Sequence, residues 1–71
     1  MLNHEYGLNV NLENVGYVDV HPIVQNLHNV KSVAGHLFHS PVVKSVCVYD
    51  AQGIARLYLK RVPGGYVREE R

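Results

Sequence analysis

Residues 42–62 read VVKSVCVYDAQGIARLYLKRV, two runs of alternating side chains folded about Asp50-Ala51-Gln52-Gly53. Aspartate suits the first position of a type I turn, and glycine the left-handed position that closes it. Pairing Tyr49 with Ile54 places Val46 and Val48 on one face with Ala55, Leu57 and Leu59. A slip of one residue would mix Leu57 and Leu59 with Ser45 and Cys47 and would bury less apolar surface. The opposite face then carries Ser45, Cys47 and Tyr49 beside Arg56, Tyr58 and Lys60. One face is built to be covered and the other to be wet.

Working outward, Ser40-Pro41 marks the end of the element before this hairpin, because the residue preceding proline avoids the helical region. Upstream of it Ile23, Val24, Leu27, Val30, Ala34, Leu37 and Phe38 recur at three- and four-residue intervals, with Val33 at the border of the stripe. Gln25, Asn29, Ser32, His36 and His39 take the other side. That pattern predicts an amphipathic helix over 22–39, opened by His21-Pro22, since proline is accommodated at the first helical position. Leu8, Val10 and Leu12 alternate with Asn9 and Asn11, and Tyr17 to Val20 forms a second short run beyond a turn at 13–16. These predict a first hairpin over 7–20, with Gly16 supplying a positive φ. Pro63-Gly64-Gly65 is a turn, and 66–71 is expected to hold a short strand at Tyr66-Val67-Arg68 and a frayed tail. The expected fold class is α+β: ββαββ with a possible fifth strand, one sheet with one helix across it, in a single domain over 1–71.

The chain has 71 residues, 46% hydrophobic and 18% charged, a globular composition. At this length apolar burial barely offsets chain entropy, so association with a second copy or with another protein is expected. Cys47 is the only cysteine, which excludes a disulfide-framed scaffold and fits a reducing, cytoplasmic setting. Neither a signal-peptide pattern nor an apolar run near the roughly 18 residues of a membrane span is present. Charge is uneven. Residues 1–35 hold Lys31 against Glu5, Glu13 and Asp19, a net of −2, whereas residues 36–71 carry six Lys and Arg against three acids, a net of +3. This permits an anionic partner for the second half but falls short of a dedicated nucleic-acid binder.

Enzymatic chemistry has little to stand on, and no cofactor is expected. His36 and His39 share a helical face at i and i+3, but a zinc site needs three or four ligands. His28 lies two turns away, so two solvated histidines outweigh a metal site. Cys47 has no neighbouring base or cation in the sequence that would activate its thiol. Glu5, Glu13, Asp19 and Asp50 are scattered, with no pair placed for acid–base work.

The best candidate for contact is the row Arg56, Tyr58 and Lys60 with Tyr49 across the hairpin. Arg61, Tyr66 and Arg68 are candidates to extend it. Tyrosine and arginine are favoured anchors of protein interfaces, and the same residues can hold phosphate and stack on bases. The expected function is therefore a small self-associating interaction module, a dimer that regulates or inhibits a larger protein partner, of the size that mobile elements often encode. The alternative is a nucleic-acid-binding regulator using the same basic and tyrosine-bearing face.

Overall fold

Tyr6, Leu8, Val10 and Leu12 alternate with Gly7, Asn9 and Asn11, and this two-residue period gives β1 (His4–Leu12) one apolar face. A turn at Glu13–Val15, with Asn14 at φ 66° and Gly16 at φ 98°, returns the chain as β2 (Gly16–Gln25). Helix α1 (Leu27–Phe38) follows, then β3 (Val43–Asp50), β4 (Ala55–Val62) and β5 (Gly65–Glu70). The structure, a computed structural model, describes residues 3–71. The five strands form one antiparallel sheet in the order β2-β1-β3-β4-β5, and α1 packs on one side of it, an α+β fold.

The strand order puts β1 and β3 at the centre, so the two hairpins join through their first strands. Register then lines side chains up across all five strands. On the helix side Val20, Leu8, Val48, Leu57 and Glu70 form one row, and Val18, Val10, Val46, Leu59 and Arg68 the next. Val46, Val48, Leu57 and Leu59 are each no more than 2% exposed, so the aliphatic face of the second hairpin turns inward as its alternation requires. Val30, Ala34 and Phe38 of α1 close over them, and Tyr6, Leu8, Val10 and Val43 complete the core.

The register differs by two residues from the simplest pairing. Tyr49 stands opposite Ala55 instead of Ile54, and a bulge then sets Val48 opposite Leu57. Asp50 explains the longer loop. Its Oδ1 accepts from the backbone N–H of Gln52 and of Ile54 at 3.0 and 2.9 Å, while Gly53 takes φ 80°. Beyond the bulge the shift is two residues, which preserves the faces of Leu57, Tyr58, Leu59 and Lys60; before it the shift is one, so Ala55 stands with Tyr49 and is exposed instead of joining Leu57 and Leu59.

The helix is shorter than its periodicity suggests. Residues 22–25 continue β2, and α1 begins after Asn26, whose side chain accepts from the N–H of Asn29 at 2.9 Å. Asparagine is among the preferred caps, and it marks the start more sharply than Pro22 does. Pro22 sits in an edge strand, where a missing N–H is tolerated. There His21 and Pro22 together oppose Gly7, a two-against-one bulge that lets Ile23 rejoin the helix side beside Tyr6. The first hairpin thus runs from His4 to Gln25, beyond the 7–20 of the sequence reading. The last strand is also longer than Tyr66–Arg68, because Glu70 pairs with Leu57 and the N–H of Arg71 donates to the Arg56 carbonyl at 2.9 Å.

Candidate protein interface

The helix covers one side of the sheet; among the described residues nothing covers the other. On that open side Asp19, Asn9, Cys47, Tyr58 and Glu69 stand in one row across the five strands. Tyr17, Asn11, Ser45, Lys60 and Val67 make the adjacent row. β-Strand alternation alone puts them there, once Val46, Val48, Leu57 and Leu59 have been drawn under the helix.

Tyr49 builds the most hydrogen-bonded part of this face. Its hydroxyl donates to the Asp19 carboxylate, 2.8 Å from each oxygen, reaching from β3 across β1 to β2. Gly7 makes the crossing possible: a Cβ there would come within 2.0 Å of Tyr49 Cζ. Glycine inside a strand is a mark of such close approach. Asn9 Nδ2 donates to the same carboxylate at 3.5 Å, and His21 Nε2 lies 3.3 Å from it. The hydrogen bond to Asp19, with lesser contributions from desolvation and from the nearby negative charge, holds the Tyr49 phenol above its ordinary value. Burial pushes the Cys47 thiol up, the reverse of what activates a nucleophile.

The residues singled out in the sequence divide between the two sides. Tyr49, Tyr58 and Lys60 share the open side, with Tyr58 and Lys60 in adjacent rows. Arg56 lies in the bulge beside Ala55, and its guanidinium is engaged. Its Nε donates to the Arg71 carbonyl at 3.2 Å, and Nη1 lies 3.8 Å from Asp50 Oδ2. Arg61, Tyr66 and Arg68 belong to the helix side and do not extend the patch. Arg61 lies 4.5 Å from the centroid of the Phe38 ring. From there it donates to the carbonyls of Phe38, Ser40 and Val43, closing the end of α1. Tyr66 meets Phe38 edge-on, 5.5 Å between centroids. Arg68 pairs with Glu70, which also meets Lys31 at 3.5 Å; the bond from Arg68 is the main reason the Glu70 carboxyl sits below its ordinary value.

The open face therefore offers exposed Tyr17 and Lys60, a half-buried Tyr58 and the braced Tyr49–Asp19 pair beside them. Sequence reasoning missed Gly7, Asn9, Asp19 and His21, because their meeting with Tyr49 depends on β1 pairing with β3. The one available signal was Gly7 within a strand pattern. His36 and His39 are exposed on the helix, and among the described residues no three His, Cys, Asp or Glu side chains gather as a metal-binding group. No helix among the described residues is long and apolar enough to cross a membrane. No family model, curated protein or solved structure matches this chain.

Proposed function

We propose that the protein is a small interaction module that lays its uncovered sheet face against a larger protein and thereby regulates or inhibits it. The observation that carries this reading is the one-sided packing of the sheet. Val46, Val48, Leu57 and Leu59 of β3 and β4 are spent under the helix, yet the other side keeps an exposed Tyr17 and a half-buried Tyr58 beside the Tyr49–Asp19 bridge. Tyrosine presents a large, stiff surface at low entropic cost, and such residues anchor protein interfaces. Charge on this side is mixed: Lys60 is offset by Glu69 in the neighbouring row and by Asp19, while Arg56 is already engaged. A balanced face suits a protein partner better than a phosphate backbone, which rewards unpaired cations.

Affinity capture from the source cell, comparing wild type with Tyr58→Glu and Lys60→Glu, tests the reading. Both variants should keep the wild-type circular dichroism spectrum and lose the specific protein partner. Retention of the same partner by both variants would overturn the proposal. Nucleic acid recovered in its place, and released steeply by salt, would replace it with the alternative of a nucleic-acid-binding regulator.

A further inference from the structure

The helix leaves the β4–β5 margin of the sheet open. It packs mainly over β3 and reaches β4 and β5 least. A trough therefore runs between the flank of α1 and β5, with two hollows in it. One, of about 460 Å³, is lined by His28, Lys31 and Glu70 among others. The other, of about 230 Å³, is lined by Phe38, Leu59 and Tyr66 among others. Gly35, His39 and Arg68 line both, so the hollows meet beside Gly35.

Gly35 serves no packing purpose. It lies inside α1, and a Cβ built on it would meet no heavy atom within 4 Å. Glycine in a helix interior is less favourable than alanine, so the fold loses stability by having it there. What the missing side chain does keep clear is the junction of the two hollows. Charge converges on the same place. Lys31 of α1, Arg61 of β4 and Arg68 of β5 line the trough, with Glu70 as the one carboxylate among its lining residues. Arg68 and Lys31 share Glu70, and Lys31 also donates to the Arg71 carbonyl at 3.2 Å. The partners of Arg61 are neutral carbonyls. Three positive charges thus face one negative charge. In the smaller hollow Tyr66 is 58% exposed although it meets Phe38, so part of its ring is free to stack.

We propose that the trough binds a small phosphate monoester carrying a flat ring, of the nucleoside monophosphate type. The phosphate sits at Arg68 and His39, and the ring lies against Tyr66. A phosphate monoester carries close to two negative charges at neutral pH, which matches the excess of cations. Arginine offers it paired donors, and tyrosine offers a face for stacking. Gly35 lets the molecule pass close to the helix where its two halves join. The flank from His28 to His39 is about 16 Å long, the reach of one small molecule and not of a nucleic-acid strand. The trough lies on the opposite side of the sheet from the open face, so it does not depend on the function proposed above.

Nuclear magnetic resonance titration of the isotope-labelled protein with adenosine, guanosine, cytidine and uridine monophosphates at low salt tests the site. At least one should bind with a submillimolar Kd and shift the amides of Gly35, His39 and Arg68. The matching nucleoside and inorganic phosphate should each bind roughly tenfold more weakly. Arg68→Gln should weaken binding about tenfold, as loss of a charged hydrogen bond does. Glu70→Gln should tighten it by freeing Arg68 and Lys31. Gly35→Leu should raise the melting temperature and yet abolish binding, a combination that a purely structural glycine would not show. No binding of any of these nucleotides at millimolar concentration overturns the inference. So does binding that shifts Tyr17 and Tyr58 instead, or that survives Gly35→Leu. A lower melting temperature in Gly35→Leu would make Gly35 a structural residue and likewise overturn it. Inorganic phosphate binding as tightly as the ester would reduce the trough to an adventitious anion patch, with the same consequence.

Discussion

Arg61→Ala separates a structural arginine from a binding one. In the structure its Nε donates to the Val43 carbonyl at 3.0 Å and its Nη2 to the carbonyls of Phe38 and Ser40, the latter at 3.1 Å. The last carbonyls of a helix have no partner within it, so the strand supplies the missing donors. The guanidinium also covers the Phe38 ring, which is itself part of the core. Alanine removes all of these contacts at once. The site is partly open to water, which can replace some of the lost bonds, so each is taken at the low end of its range. Three hydrogen bonds and one cation–π contact then sum to about 2 kcal/mol. For a protein of this size that corresponds to a fall in melting temperature of about 8–16 °C. Urea unfolding followed by far-ultraviolet circular dichroism measures it directly. Arg61→Lys should recover less than half, because an ammonium cannot reach three carbonyls in a fork. A loss below about 0.5 kcal/mol for Arg61→Ala would refute the clamp. Loss of partner binding with unchanged stability would return Arg61 to the interaction surface.

Asn26→Ala should cost about 1 kcal/mol in the same unfolding assay, as removal of a helix cap does; Pro22→Ala should leave helix content unchanged, since Pro22 belongs to β2. Gly7→Ala should drive the Tyr49 ring off Asp19, and a proton spectrum of the Tyr49 ring should report the displacement; an unmoved ring would contradict the close packing of these two residues. Tyr49 should titrate later than an unperturbed tyrosine. Because its folded-state value is raised, the associated stability is complete below about pH 10 and disappears as pH climbs through the folded-state value. Asp19→Asn should bring the Tyr49 titration back toward the ordinary value, as followed by ultraviolet absorbance.

The second hairpin could be read from the sequence because its information is local. Val46, Val48, Leu57 and Leu59 alternate strictly, Asp50 and Gly53 punctuate the turn, and an error of two residues in pairing leaves these four and Tyr58 and Lys60 on their expected faces, while Ala55, before the bulge, does not keep its own. The beginning of the helix was harder. Ile23 and Val24 fit a helical stripe as well as a strand, and only the pairing of β1 back to His4 decides between them. The C-terminal strand was underestimated for the same reason: Glu69 and Glu70 read as a frayed tail until Leu57 and Arg56 are seen beside them. The candidate face was partly legible. Tyr49, Tyr58 and Lys60 follow from alternation within one hairpin. Asp19, His21 and Gly7 join them only through the β1–β3 junction, a contact between residues some forty positions apart that no local pattern encodes. Arg61, Tyr66 and Arg68 showed the converse, since cations and tyrosines near an edge can as well brace a helix as meet a partner.

The uncovered side of the sheet is the surface proposed to meet the partner. Hydroxyl-radical footprinting of the protein alone and in complex with its captured partner tests this most directly. Tyr17, Tyr58 and Lys60 should be protected on binding, while His36 and His39 on the helix keep their free reactivity. Protection of the helix histidines with Tyr17 and Tyr58 left fully reactive would contradict it.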